Sequence, residues 1–475
     1  MRTIQQIDDI LSSSLEGQMN RNCIPGIAVG IVLDGKIAYT KGFGVKNIES
    51  GEPVTDESMF HSASISKTFV TASLMQLQER GLVDINEPVT VYIPYLKLKD
   101  ERYKKITIKQ MMSHLSGIPD VYDYEWEKPQ YEEDALEKYV RSIFDFELLW
   151  EPGSGYSYSN LAYEVLGDVI AKASGMSFEA YVKNNILLPL GMKDSSFLIK
   201  EISVNNMTSP HILSLENGYH AAVSPYYPYN RIHGPSSTLW SNVRELCRYA
   251  IANLNRGSFE GFNLLNNDSY KMMWKPYAET NRKGTNMGLS WFMKQYKGVE
   301  LIFHTGGDTG YTSNLVLVPE KNAALTFYCN CDYVNLFMLT EHILDIMLGL
   351  EVEPIAISAT SEVARVLTTE GLEAASVRFD EIRSIHKDEY YISESEFNSL
   401  AYKFLKIKKA EEAISVLTMA IKEFPKAANL YDSLGEIYLE NGEKEKSINS
   451  YKIALELDSS MSSSITALRS LGIEV

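Results

Sequence analysis

The sequence predicts an α/β fold of the α+β kind with antiparallel strands, followed by an all-helical repeat region. Three observations support this prediction: a β-hairpin near the start of the chain, a second group of strands around residue 300, and a 34-residue repeat near the end. A length of 475 residues leaves room for about three units of the usual size.

The first predicted elements are a helix and a hairpin. Apolar residues at helical spacing open the chain: Ile4, Ile7, Ile10, Leu11 and Leu15. Two apolar runs, 27–33 and 36–43, then flank the dipeptide Asp34-Gly35. This dipeptide favours the positive φ angles of a type I′ turn, so the two runs are predicted to pair as a hairpin.

Helices and a second strand group follow. An apolar stripe over 64–80 predicts a helix that ends at Gly81, and Thr107 is a suitable N-cap for a short helix. The segment 122–154 is predicted to be irregular. Four apolar runs with turns between them predict antiparallel strands: SWFMKQ, VELIFHTGG, TSNLVLVP and AALTFYC. Helical spacing returns at 335–348, and a linker follows.

The C-terminal region repeats itself after 34 residues at eight matching positions. Phe397, Leu400, Ala401, Phe404, Ala413, Leu417, Ala420 and Pro425 recur as Tyr431, Leu434, Gly435, Tyr438, Ser447, Tyr451, Ala454 and Ser459. This period resembles the tetratricopeptide repeat, an antiparallel helix pair that stacks on its neighbours. Whether the region binds a protein partner or is a helical tail packed on the main body stays open.

Composition excludes several classes of function. The net charge of −17 repels nucleic acid and anionic membrane surfaces, and no apolar stretch is long enough to predict a membrane span. The few cysteines are too scattered for a disulfide framework or a zinc site: Cys23, Cys247, Cys329 and Cys331. A cytoplasmic protein is the simplest interpretation. Secretion with a signal peptide removed is the alternative.

Three short motifs carry candidate chemistry. Ser64 and Lys67 are three residues apart on one predicted helix face, so a desolvated lysine could accept the serine proton. Tyr158 and Asn160 alternate in a loop and could converge on one site, where a tyrosine between two cations would have a lowered pKa. The third motif is a strand end rich in small residues that could receive a substrate: His304, Thr305, Gly306 and Gly307.

The order of these motifs resembles that of the penicillin-recognising serine enzymes, which include class C β-lactamases, D-alanyl-D-alanine peptidases and related esterases. The pattern is Ser-x-x-Lys, then Tyr-x-Asn, then Lys/His-Thr-Gly. Two further segments, MMSHLSGIPD and EPGSGYSYSN, are similar to stretches of the same family. The resemblance extends over about residues 4–350 and divides the chain into a hydrolase domain (1–350), a linker (351–361) and a helical-repeat domain (362–475).

The resemblance implies an antiparallel sheet flanked by helices, with an inserted all-helical region and a cleft between them. It implies that Ser64 attacks a carbonyl, that Lys67 and Tyr158 transfer protons, and that Asn160 positions Lys67 and the substrate. His304 and Thr305 would contact the substrate end, beside Gly306, and the amides of Ser64 and Gly307 would bind the oxyanion. No metal or organic cofactor is implied.

One departure from the family pattern concerns the substrate. His304 stands where β-lactamases and cell-wall peptidases usually carry lysine, so a permanent cation is replaced by a ring with a pKa near 6.5. The sequence therefore predicts a serine hydrolase acting on small esters, D-amino-acid peptides or amides, or β-lactams, with an esterase or D-amino-acid peptidase favoured. His114 and His233 are not expected to be catalytic. The alternative is an interaction protein whose hydrolase body is a scaffold.

Overall fold

The computed structural model describes residues 2–121 and 123–474, which divide into two compact bodies. The first body comprises 2–212 and 221–353, and the second comprises 213–220 and 354–474. The strands are β1 Gly26–Leu33, β2 Lys36–Gly44, β3 Phe60–His61, β4 His211–Ser214, β5 His220–Val223, β6 Trp240–Ser241, β7 Ser258–Phe259, β8 Phe262–Asn263, β9 Ala278–Glu279, β10 Thr285–Met287, β11 Phe292–Tyr296, β12 Val299–Asp308, β13 Tyr311–Val318, β14 Ala323–Cys329, β15 Ile357–Ser358 and β16 Tyr390–Tyr391.

The helices lie between and after these strands. They are α1 Ile4–Asn22, α2 Ser66–Glu79, α3 Ile108–Met112, α4 Ala135–Ser142, α5 Asn160–Ser174, α6 Phe178–Val182, α7 Gly234–Ser237, α8 Val243–Leu254, α9 Asn267–Met273, α10 Leu336–Leu348, α11 Ala359–Glu370, α12 Leu372–Ser384, α13 Glu394–Lys406, α14 Ala410–Glu423, α15 Ala428–Glu440, α16 Lys444–Leu457 and α17 Ser462–Ser470. No described helix is long and apolar enough to cross a membrane.

The first body is built on an eight-stranded sheet in the order β2-β1-β14-β13-β12-β11-β10-β9, with every neighbouring pair antiparallel. The predicted hairpin is confirmed. Its turn residues Asp34 and Gly35 have φ angles of 50° and 69°, as a type I′ turn requires. Helices α1, α8 and α10 pack on this sheet, and α2 to α9 are inserted between its first and last strands. The predicted fold class is therefore confirmed.

Helix α2 lies at the centre of the inserted helical region. It packs against α5 and α7, and its residues from Ser66 to Leu77 are all buried. A helix that is enclosed on every side carries its polar residues into the core as well, so Lys67 has no exposed surface at all. This enclosure determines the chemical state of Lys67.

One helix contradicts the sequence prediction. Helix α4 lies inside the segment 122–154 that was expected to be irregular. Ala135, Leu136 and Val140 of this helix are buried, and Leu136 and Val140 belong to the neighbouring core. Eight residues are too few for a clear period in a sequence, and helices of this length form mainly through tertiary packing.

The part of the second body over 354–474 is helical, apart from the short strand pair β15–β16. Helices α13 and α15 begin 34 residues apart, as do α14 and α16, and consecutive helices pack against one another. The segment 213–220 also belongs to this body, where Leu215 is 3% exposed in the same apolar cluster as Ala359 and Phe379. Nothing in the sequence had indicated this distant contribution.

The segment 213–220 leads to a prediction about shortened chains. A chain that ends at Leu350 would lose the helices against which Leu213, Leu215 and Tyr219 pack. The apolar patch that this exposes is expected to promote self-association, measured by light scattering and gel filtration. Replacing 213–220 by a short glycine-serine turn in the same shortened chain is expected to restore a monomer. A shortened chain that stays monomeric without this replacement would contradict the prediction.

Candidate active site

Ser64 lies in a 3-10 turn, Ala63–Ile65, immediately before α2. Between residues 58 and 77 it is the only residue that is not buried. The residue before it, Ala63, has a φ of 46°, a left-handed conformation that costs a non-glycine residue about 1–3 kcal/mol. Such strain is typical of functional sites, and here it holds Ser64 at the surface of an otherwise buried segment.

Lys67 is fully buried directly behind Ser64. Its Nζ donates to Ser64 Oγ at 2.9 Å and to the carbonyl oxygen of Ser236 at 2.8 Å. Burial lowers the pKa of Lys67 to about 8, although Glu164, Asp120 and Asp308 act in the opposite direction. This brings the neutral form of Lys67 within reach near neutral pH, and a neutral amine beside a serine hydroxyl can accept its proton.

Tyr158 completes a cluster around the same hydroxyl. Lys67 Nζ lies 5.0 Å from the centroid of its ring. Burial raises the pKa of Tyr158 well above its ordinary value, while a hydrogen bond with Ser64 lowers it. The expectation of a lowered pKa is therefore wrong, because burial disfavours the charged phenolate, and His304, which burial keeps neutral, supplies no second cation. Tyr158 enters the site as a phenol that can donate a proton.

His114 holds the loop that carries Tyr158. Its backbone carbonyl accepts from the N–H of Ser157 at 3.0 Å, and its Nδ1 accepts from the N–H of Ser159 at 3.1 Å. Its ring stacks on that of Tyr158 with centroids 4.2 Å apart. Burial and the charge of Lys67 keep the pKa of His114 well below its usual value, so the ring stays neutral. The segment MMSHLSGIPD thus positions the second motif.

Asn160 is bound to the same segment rather than to Lys67. Its backbone N–H donates to Asp120 Oδ1 at 2.8 Å, and its side-chain Nδ2 donates to Asp120 Oδ2 at 3.0 Å and to Tyr124 Oη at 2.5 Å. Within 2–121 and 123–474, the hydrogen bonds of Lys67 go to Ser64 and Ser236. The structure therefore places Asn160 beside the site without the direct contact to Lys67 that the resemblance implied.

The third motif lies on a free strand edge. Pairing of β11 with β12 ends at Phe303, so 304–308 have a strand neighbour only on the β13 side. A Cβ at Gly306 would lie 2.3 Å from the carbonyl oxygen of Ser62, so only glycine lets the Ser64 turn pack so closely. A Cβ at Gly307 would meet nothing within 4 Å. The open edge for a substrate is at Gly307.

His304 is buried and neutral. It is 1% exposed, and burial together with the charge of Lys67 lowers its pKa to about 3. Its Nδ1 lies 2.7 Å from the carbonyl oxygen of Thr305, which only accepts, so Nδ1 carries the proton and Nε2 bears the lone pair. The third motif thus presents an acceptor where related enzymes with lysine present a cation. Thr305 is half-buried next to it.

The motif analysis did not include two carboxylates near Lys67, of which Glu164 is fully buried and Asp308 is partly exposed. Glu164 has no exposed surface, accepts from Ser236 Oγ at 2.5 Å and lies 3.1 Å from His233 Nδ1. It thereby holds Ser236, whose carbonyl oxygen accepts the hydrogen bond from Lys67 Nζ. The available signal was its position four residues after Asn160, on the same helix face.

Asp308 is the second unpredicted carboxylate. Its Oδ2 lies 2.8 Å from His61 Nε2 and accepts from Ser237 Oγ. It is two residues beyond Gly306, so it shares the strand face that lies against the Ser64 turn. That alternation was the signal that could have indicated it. No group of three or more His, Cys, Asp and Glu side chains in the described part of the chain could hold a metal ion.

Comparisons with known proteins identify the family of the chain. The family model described as Beta-lactamase matches residues 11–346, more than half of the chain. Protein flp of Staphylococcus aureus (strain N315) is 26% identical over 340 residues, which are 71% of this chain and 65% of that protein. The chain thus spans slightly less than two thirds of the length of this relative.

Other similar proteins include one from a eukaryote and one of known structure. Beta-lactamase-like protein 2 of Dictyostelium discoideum is 25% identical over 334 residues, 69% of this chain and 59% of its own. The octameric penicillin-binding protein homologue from Pyrococcus abyssi matches with a TM-score of 0.66 and 26% identity, over 76% of this chain and 81% of that one. Given the family match over residues 11–346, the chain belongs to the beta-lactamase family.

Proposed function

We propose that this protein is a serine hydrolase that forms an acyl-enzyme at Ser64. The observation that carries the proposal is the 2.9 Å hydrogen bond between the buried Lys67 Nζ and Ser64 Oγ. Ser64 is also the only residue between 58 and 77 that is not buried. Family membership supports it, since members of this family are usually serine hydrolases. The strained turn at Ala63 exposes the nucleophile Ser64. The free strand edge at Gly307 leaves a place for the substrate.

The geometry supports a two-step reaction. Neutral Lys67 takes the proton of Ser64, and Oγ attacks the substrate carbonyl carbon. The tetrahedral intermediate collapses when Tyr158 protonates the leaving group, and Tyr158 regains its proton from Lys67. Water then attacks the acyl-enzyme, and its proton passes through Tyr158 and Lys67 to Ser64 Oγ. The acid product leaves, and Ser64 is restored. General acid–base catalysis of this kind contributes about 10²–10⁴-fold to a rate.

The oxyanion of each tetrahedral intermediate needs donors at a fixed position. We assign this role to the backbone amides of Ser64 and Gly307, because the turn of Ser64 packs on the end of β12. One such donor is worth about 3 kcal/mol in comparable chemistry. The glycine at 306, which permits this packing, is therefore part of the machinery even though its own surface is enclosed.

The neutral His304 bears on the substrate class. Without a cation there, the carboxylate that β-lactams carry loses its usual partner, so we propose small esters or amides, including those of D-amino acids, ahead of β-lactams. A panel of p-nitrophenyl esters, D-amino-acid p-nitroanilides and a chromogenic cephalosporin tests this order. A fluorophosphonate probe tests the acyl-enzyme itself, since its adduct on Ser64 is seen by mass spectrometry. Absence of both adduct and turnover would refute the proposed hydrolase.

The pH dependence provides a further prediction. Because neutral Lys67 is the base, the rate is expected to rise with pH through about 8. Glu164 stabilises the protonated lysine, so Glu164→Gln should lower the pKa of Lys67 and move this limb down by roughly one pH unit. Glutamine still accepts from Ser236, which preserves the local structure. The exposed Glu16→Gln variant is the control, and an unmoved limb in Glu164→Gln would contradict the assignment.

The helical body favours a second, separate role. The 34-residue spacing of its helix pairs supports the proposal of tetratricopeptide-like repeats that bind a protein partner. In that alternative the first body is a scaffold. The fluorophosphonate experiment separates the two, because a scaffold has no need of a reactive Ser64. If the protein is labelled and turns over substrate, the repeats are proposed as a binding region in addition to the active site.

A further inference from the structure

The side-chain amide of Asn160 has no donor left for a substrate. Its Nδ2 carries two hydrogens, and both are used, one by Asp120 Oδ2 and one by Tyr124 Oη. The orientation of the amide is certain because a carboxylate can only accept. What Asn160 offers beyond these partners is therefore the lone pairs of Oδ1. A carbonyl oxygen of a substrate finds no donor at this side chain.

His304 offers an acceptor too. Its Nε2 bears a lone pair, lies almost completely buried, and has no hydrogen-bond partner within 2–121 and 123–474. The side chain shares a strand face with Gly306, and that face lies against the turn of Ser64. A buried acceptor without a partner, on the strand face that lies against the Ser64 turn, indicates that a donor arrives with the ligand.

The charges around Lys67 point the same way. Glu164, Asp120 and Asp308 all raise its pKa, so each places negative charge within reach of the Ser64 site. Asp120 is partly exposed, and it is the carboxylate bound directly to Asn160. Arg282, whose positive charge also lowers the pKa of His304, is exposed in the loop between β9 and β10. The Asn160 side of the site is thus acidic and rich in acceptors.

We propose that the acyl part of the substrate carries a free, protonated primary amine, as an α-amino-acid ester or amide does, and that Asn160 Oδ1 and Asp120 bind it. This inference rests on the proposed hydrolase. The ammonium group donates three hydrogens and carries the charge that Asp120 attracts. An N-acylated substrate replaces that group by a carbonyl and a single N–H, so it keeps one donor in place of three and loses the charge that Asp120 attracts. The amine itself does not react, and hydrolysis releases the amino acid.

Three kinds of p-nitroanilide test the proposal: alanine p-nitroanilide in both enantiomers, its N-acetyl derivative, and isobutyric p-nitroanilide, in which a methyl group replaces the ammonium. We expect kcat/KM at pH 7 to be at least tenfold higher for one enantiomer of the free amine than for either neutral compound. Asp120→Asn is expected to reduce that ratio at least fivefold. Asp123→Asn removes an exposed charge nearby without touching Asn160 and is expected to preserve it.

A second variant, Tyr124→Phe, tests the proposal even if the Asp120→Asn protein does not fold. Tyr124→Phe removes one acceptor of Asn160 and frees a donor, so it should improve the N-acetyl substrate relative to the free amine by several-fold. Equal turnover of the isobutyric and alanine compounds, or an unchanged ratio in Asp120→Asn that folds normally, would overturn the proposed amine site. Failure of the hydrolase looks different, because no compound and no fluorophosphonate would then react.

Discussion

Replacing Ser64 by alanine is expected to abolish hydrolysis of every substrate and to remove the fluorophosphonate adduct. The loss should be about 10⁴–10⁶-fold in kcat, as for other serine nucleophiles. The reason is specific to this fold, since Ser64 is the only hydroxyl that Lys67 Nζ contacts within the described residues, and the residues on both sides of it are buried. Initial rates and intact mass after labelling measure the effect.

The matched control is Ser66→Ala. Ser66 lies two residues further on, at the start of α2, but its Oγ accepts from the N–H of Leu239 and takes no part in the site. We expect this variant to be labelled and active, with a lower Tm because a buried N–H loses its partner. An adduct that persists in Ser64→Ala would assign the nucleophile elsewhere and refute the proposed chemistry.

Replacing Lys67 by methionine is expected to lower kcat by about 10²–10⁴-fold and to eliminate the rise in rate near pH 8. Methionine has nearly the same length, so the buried space stays filled, but it cannot accept the proton of Ser64. Stability should change little. The desolvation cost of the buried ammonium disappears, while the carbonyl of Ser236 loses its donor. Rates from pH 6 to 9.5 and thermal unfolding measure both effects.

The exposed Lys97→Met variant controls for the loss of one positive charge. It should keep the wild-type rate and its pH profile. If Lys67→Met retained a limb near pH 8, another group would be the base, and Tyr158 would be the next to test. If it lost activity only by unfolding, the Tm would reveal this directly.

Most of the fold was predictable from local patterns. The Asp34-Gly35 turn, the apolar strand runs after residue 287 and the N-cap at Thr107 all depend on neighbours within a few residues, and the structure confirms each of them. Helix α4 and the segment 213–220 were missed for the opposite reason. Both are held by contacts with distant parts of the chain that no local period reports.

For the candidate site, the sequence by itself determined which groups are present and in what order: Ser64 and Lys67, then Tyr158 and Asn160, then His304 to Gly307. Only the tertiary structure decided their chemical states. Burial lowers the pKa of Lys67, raises that of Tyr158 and keeps His304 neutral, because a charge is stabilised by water that the folded core excludes. Partners 40 and 247 residues away, Asp120 for Asn160 and Asp308 for His61, then determine which donors and acceptors remain for a substrate. Such long-range contacts exist only once the chain has folded.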